Sequence, residues 1–442
     1  MDNRSKKRRA VELVKDLLIV ALTCSALWLV FHSQRLVPQR GDAADTGGQT
    51  QGGQLDGESR AEAARPPRIT ASFSSGTELL RYGVQYDAQS CDTLFQQVAN
   101  LLTESLSGAG VPEQVSRWEW EQALTNAPGL CFDFQGEIPL PVLVGWLAGE
   151  DTALTGTVRR VILAVQGGEV SLYFQNREDG NYYRCGSGIV NEQQVTQALS
   201  ALSDNGAFYA VESEEYADLD PDTLISAVVP VPKVYLAANP VGGGQDSLAA
   251  LMEELGLAAN VNSFYYAGSA HVGRSGNDTI RLFDSGIATY EAEEGSDHFR
   301  ISARQGEPTL FESVEACRQL AAAVMGTRSG QARLYLSQVQ EDDEGLTVSF
   351  EYCLNGSQVR LEGGSAAQFL VRNGQIVQFT LRFRSYSDSG ETSVVLPVRQ
   401  AAAVMEAEGL EGQELLLVYL DGGGDTVSAS WAAADNRLGG EV

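Results

Sequence analysis

Residues 368–384 read QFLVRNGQIVQFTLRFR, and their pattern decides the fold class of the C-terminal third of the chain. Phe379, Leu381 and Phe383 alternate with Gln378, Thr380, Arg382 and Arg384, the period of a strand with one buried and one wet face. Asn373 and Gly374 accept the positive φ angles of a two-residue type I′ turn, so the stretch folds back on itself as an antiparallel hairpin. Upstream, the spacing predicts a helix from about Glu312 to Met325, strands Arg333 to Val339 and Thr347 to Cys353, a turn at Asn355 and Gly356, and a short strand Gln358 to Leu361. Downstream, a helix Val398 to Ala407 follows Pro397, and strands Glu414 to Leu420 and Thr426 to Trp431 close the sheet. Residues 311–442 are therefore expected as a twisted antiparallel sheet with two helices on one face.

Further upstream, two more α+β units are expected, at 68–229 and 230–310. In the first, a strand near Ile69 to Phe73 precedes a helix carrying Leu94, Phe95, Val98, Leu101, Leu102 and Leu106, with Asp92 as its expected N-cap. A second helix is expected to start at Pro112 and to carry Trp118, Trp120 and Leu124. Val158 to Val165 and Val170 to Gln175 form a hairpin across Gly167 and Gly168, and Asp179 with Gly180 marks a turn before Tyr182 and Tyr183. In the second unit, strand Lys233 to Ala237 leads to a helix Asp246 to Leu255 ended by Gly256, then to a hairpin of Thr279 to Phe283 and Ala288 to Ala292.

The N-terminal end has another character. Residues 17–31, LLIVALTCSALWLVF, are an apolar run behind Arg4, Lys6, Lys7, Arg8 and Arg9. Fifteen helical residues rise about 22 Å, and Val11, Leu13 and Val14 lengthen the apolar face toward the roughly 30 Å of a hydrocarbon core. No small-residue cleavage pattern follows closely, so residues 11–32 are expected as an uncleaved transmembrane anchor. The basic tail, 1–10, then lies in the cytoplasm, and the bulk of the chain outside the cell. Within the anchor, Ala21, Cys24 and Ser25 form a patch where a second helix could approach. Residues 33–67, rich in Gly, Gln and Asp, read as a flexible linker.

Composition excludes several functions. The net charge is −27 and no basic stripe with interleaved aromatics follows the anchor, which argues against a nucleic-acid partner. His32, His271 and His298 have no partner at zinc-ligand spacing, and Gly186, Ser187 and Gly188 lack the nucleophile-elbow pattern. The triple glycines at 242–244 and 422–424 lack phosphate-loop spacing. Asp218, Asp220 and Asp222, like Glu341, Asp342, Asp343 and Glu344, are expected as solvated loops. The five cysteines beyond the anchor fit burial as small apolar side chains. No catalytic residue, cofactor or metal is expected, and the reading is of a non-enzymatic ectodomain.

Several motifs of the C-terminal unit, YCLNG (352–356), the NG hairpin, LPVRQAA (396–402), ELLLVYL (414–420) and SASWAAA (428–434), come in an order that resembles the C-terminal region of the YycH and YycI family. DSGIATY (284–290) resembles the strand pair that precedes that region. The helix-on-sheet arrangement is also similar to PepSY and cystatin modules. The YycH/YycI resemblance implies a membrane-anchored extracytoplasmic regulator of a cell-wall-responsive sensor histidine kinase in a Gram-positive bacterium. Its implied partners are that kinase and a paralogous regulator. The alternative is an extracytoplasmic ligand-binding or cell-envelope module with no kinase link.

Overall fold

A computed structural model describes residues 60–258, 264–276 and 278–434. The expected anchor, with Ala21, Cys24 and Ser25, lies outside the described residues, and among those described no helix is long and apolar enough to cross a membrane.

Strands β1 (Arg68–Ser75), β2 (Glu78–Val84), β3 (Glu113–Val115), β4 (Gly129–Pro139), β5 (Thr157–Gln166), β6 (Glu169–Gln175) and β7 (Tyr182–Gly186) form one antiparallel sheet in the order β2-β1-β4-β5-β6-β7-β3. Helix α1 (Arg60–Ala63) precedes it, so the end of the glycine-rich stretch is structured and Ala64 is fully buried. Helix α2 (Ala88–Ser107) buries Leu94, Phe95, Val98, Leu101, Leu102 and Leu106 in the main core. It begins a turn earlier than expected. Asp87 is the N-cap, accepting from the Ser90 amide at 3.1 Å, while Asp92 pairs instead with Arg65 and Arg333.

Helix α3 (Arg117–Thr125) also departs from expectation, because Pro112 leads into strand β3 and the helix starts behind a capping box of Ser116 and Glu119. The helix carries Trp118, Trp120 and Leu124 as expected, with Trp120 and Leu124 buried and Trp118 exposed. Helix α4 (Leu140–Leu147) is apolar on almost every side, and α5 (Glu192–Leu199) follows β7.

The second sheet draws on residues 265–434. Strands β8 (Phe208–Tyr209) and β9 (Leu224–Ile225) pair locally, and β10 (Lys233–Ala238) precedes helix α6 (Gln245–Glu254). Then come β11 (Tyr265–Ala267), β12 (Ala270–Ser275), β13 (Asp278–Phe283), β14 (Ile287–Glu291), helix α7 (Leu310–Met325), β15 (Arg333–Asp342), β16 (Gly345–Leu354), β17 (Ser357–Leu361), β18 (Ala367–Arg372), β19 (Gln375–Arg382) and β20 (Ser385–Thr392). Helix α8 (Val398–Ala407), β21 (Glu414–Asp421), β22 (Thr426–Val427) and β23 (Ala429–Ala434) end the described chain. Strands β11 to β14 join β19, β18, β16, β17, β21 and β23 in one continuous sheet, with β15 on β16.

The diagnostic hairpin pairs Phe369 with Phe379 and Ala367 with Leu381, Asn373 has φ +50°, and Phe379, Leu381 and Phe383 are buried while Gln378 is exposed. Two details differ from a purely antiparallel reading. β17 and β21 run parallel, and Val427 leaves the sheet to pair with Tyr235 of β10, which also pairs with β20. Where α4 meets α7 the backbone comes close to an aromatic ring: a Cβ on Gly145 would stand 2.4 Å from Phe311. The architecture is thus α+β, with antiparallel sheets and packed helices.

Candidate functional site: a cleft over a buried ionic cluster

Strand β2 runs out at Val84, and the chain must turn at once into α2. It does so through Tyr86, whose φ of +62° is a left-handed conformation that costs a bulky residue about 1–2 kcal/mol. Contacts from the far end of the chain hold it there. Asn355, itself at φ +51°, donates through Nδ2 to the Tyr86 carbonyl at 2.9 Å and accepts from the Ala88 amide at 3.1 Å. The Leu417 amide donates to the Tyr86 hydroxyl at 3.1 Å, and Trp431 stands edge-on to the ring at 6.1 Å. Gly356 (φ +85°) allows the close approach, since a Cβ there would lie 3.3 Å from the Pro67 oxygen and the Tyr86 nitrogen.

Above this contact opens a cleft of about 400 Å³, walled by residues 82–87, by the connector 226–232 and by Asn355, Ser357, Val398, Leu417, Tyr419 and Trp431. YCLNG, LPVRQAA, ELLLVYL and SASWAAA each contribute a residue to that wall. Gln85 donates through Nε2 to the Leu224 carbonyl and to Ser226 Oγ at 2.8 Å, and its Oε1 is buried in the wall with no partner among the described residues. The outer lip is apolar. Val228 and Val231 are 74% and 71% exposed, and the Ser393 amide donates to the Pro232 carbonyl, which sets the segment of fully exposed Val394 beside them.

Behind the cleft lies a cluster of charges that sequence reading missed. Arg68, Asp133 and Arg160 are cross-strand neighbours on β1, β4 and β5. Asp133 accepts from Arg68 at 3.2 Å, from Arg159 at 3.1 Å and from Arg160 at 3.0 Å. Glu414 of β21 accepts from the same three, at 2.6, 2.7 and 2.9 Å. A bulge after Asp133, with Gln135 at φ +59° and its amide donating back to Asp133, lets adjacent Arg159 and Arg160 converge on one carboxylate.

All five residues are buried. Burial pushes the Asp133 carboxyl up, but the Arg159, Arg160 and Arg68 guanidiniums more than reverse this, to about 2. Burial also raises the neighbouring Tyr86 hydroxyl, with Arg68 acting against it.

The cluster extends to Asp222, which takes two bonds from Arg117 and one from Trp120 Nε1 at 3.0 Å. The expectation of solvated carboxylates is thereby corrected at Asp222 and, in part, at Asp220, while Asp218 is exposed. Asp222 is 5% exposed, and Asp220, whose carboxyl burial raises, caps the Asp222 amide. The alternation hid this because its partner arginines lie more than 60 residues away. Glu341 to Glu344 are exposed as expected, the first two at the end of β15 and the last two in the turn that follows.

His271 lies beside Tyr266 and 3.8 Å from Asp284, while His298 packs on Phe299, so the two are not brought together. Cys91, Cys131, Cys185, Cys317 and Cys353 are buried and form no disulfide among the described residues, and burial pushes the Cys131 thiol to about 12.

No family model matches the chain, and no curated protein matches it in sequence. Among solved structures, that of YycH from Bacillus subtilis is similar, with a TM-score of 0.53 and 10% identity, covering 86% of this chain and 96% of that one. The fold is YycH-like.

Proposed function

We propose that this protein is a membrane-anchored extracytoplasmic regulator, not an enzyme, that modulates a cell-wall-responsive sensor histidine kinase through protein contacts. The observation that carries the reading is the YycH-like fold over 86% of the chain, with the motifs of the family resemblance gathered on one cleft. In this reading regulation runs through the anchor, with Ala21, Cys24 and Ser25 as its contact patch, and through the ectodomain. Outside, the apolar lip at Val228, Val231 and Val394 is the surface we assign to the kinase's extracytoplasmic domain. A paralogous, YycI-type regulator is the second expected partner.

Crosslinking in native membranes from position 229, followed by identification of the captured protein, tests this. A sensor kinase captured by the wild-type lip and lost with Val231→Asp/Val394→Asp supports it. Unchanged kinase output after replacing the anchor with an unrelated helix, together with no binding of the kinase's outer domain, removes it.

One observation favours a second reading, a ligand-binding module: the buried, unpartnered Gln85 oxygen in a cleft of aromatic and amide groups would accept a bond from a neutral ligand. Gln85→Leu would then abolish ligand binding while leaving the kinase contact intact.

A further inference from the structure

A second concavity, of about 500 Å³, runs along the outer side of α7. One wall is the half-exposed helix face of Ala316, Leu320 and Ala323, and Phe299, Ile301 and Ile376 line the groove opposite. Its rim carries Arg300 and Arg304, both exposed. Among the described residues neither guanidinium makes a hydrogen bond or an ion pair, and that of Arg304 acts on Glu312 only through space.

The carboxylates lining the groove are already committed. Glu312 accepts from the Thr309 and Arg304 amides, both at 2.9 Å, Glu315 from Arg60, Arg318 and Trp146, and Glu254 from Arg328 at 2.6 Å. Glu254 and Glu315 are neutralised by arginines, and Glu312, held by amides, keeps its single charge, so with two unpaired guanidiniums the rim is net positive on a chain of net charge −27.

We infer that this groove docks a peptide segment of a partner protein that sets apolar side chains against α7 and carboxylates against Arg300 and Arg304. Charge complementarity selects the occupant: guanidiniums pair most strongly with carboxylates beside a water-excluding surface, and an apolar segment without acids would leave both rim charges unanswered. The inference stands apart from the kinase reading, because it concerns a different surface and needs no kinase for its test.

The full-length protein in detergent micelles is titrated into a fluorescein-labelled fifteen-residue helical peptide with leucines spaced three and four apart and glutamates between them, read by anisotropy. The expected result is saturable binding, weakened at least tenfold by Arg300→Glu/Arg304→Glu and at least tenfold by replacing the glutamates with glutamines, with the melting temperature of the variant unchanged. Equal binding by the double variant, equal binding of the glutamine peptide, or no binding at all overturns the inference. So does binding seen only after residues 41–59 are replaced by Gly and Ser, which would assign the groove to the chain's own acidic segment. Arginine-dependent binding to phosphatidylglycerol vesicles in place of the peptide also overturns it, making the rim a membrane contact.

Discussion

Two neighbouring joints tie residues 68–229 to the C-terminal strands, and they are built from opposite chemistry. At Arg68, Asp133, Arg159, Arg160 and Glu414 the joint is ionic and buried; at Tyr86, Asn355 and Gly356 it is made of neutral amide and hydroxyl bonds at a solvent-reached cleft. Desolvated charges are tolerable only while every partner is present, so the ionic joint is all-or-none. Neutral bonds at a wet edge contribute about 1 kcal/mol each and can exchange with water one at a time. Of the two, the cleft side is the one that can yield, with the ionic side as its fixed point.

The largest test removes one member of the ionic joint. Glu414→Ala leaves three guanidiniums facing Asp133, with only Arg160 also reaching Asp222 at 3.7 Å, and urea unfolding should report a loss of about 3–5 kcal/mol. A loss below about 1 kcal/mol would mean that water reaches the cluster and the contrast between the joints is false.

The second test uses acid. Asp133 titrates in the folded protein at about 2, below its ordinary 3.8, so its contribution is fully present above the unfolded value and is lost as the pH falls through the folded one. The stability difference between wild type and Asp133→Asn should shrink by about 2 kcal/mol from pH 5 to pH 2. The comparison isolates Asp133 from Asp220, whose raised carboxyl works in the opposite direction. A difference constant with pH would break the assignment.

The smallest effect belongs to the cleft. Gly356→Ala, at φ +85° and in close contact with Pro67 and Tyr86, should cost about 1–2 kcal/mol, and Asn355→Ala about 1 kcal/mol. Both should speed hydrogen exchange at the Ala88 amide while leaving exchange at β1, beneath the ionic joint, unchanged. Equal acceleration at both places would show that the two joints open as one.

The same contrast explains what the sequence made legible. The hairpin at 368–384, the β5–β6 hairpin and helix α8 could be read because period and turn chemistry are local. Helix α4 escaped because LPVLVGWL is apolar throughout and has no period, and Pro112 misled because a proline that opens a helix can as well precede a strand. The YCLNG turn was visible, but its role against Tyr86 was not, because nothing near residue 86 marks a left-handed tyrosine. Arg159 and Arg160 did leave a trace: two charges inside TVRRVILAV contradict a buried strand unless acids await them, and those acids, Asp133 and Glu414, lie 26 and 254 residues from their partners. Transverse pairing of this kind has no local signature.

Glu414 has one more consequence, for the order of assembly. It meets Arg68 across 346 residues, so until the last long strand arrives the three guanidiniums on β1 and β5 share Asp133, with Asp222 reaching only Arg160. Closing so long a loop is entropically expensive and slow. The first sheet therefore has little reason to set early, and a nascent chain released before residue 414 would carry an unneutralised core, open to chaperones and proteases until β21 threads into place.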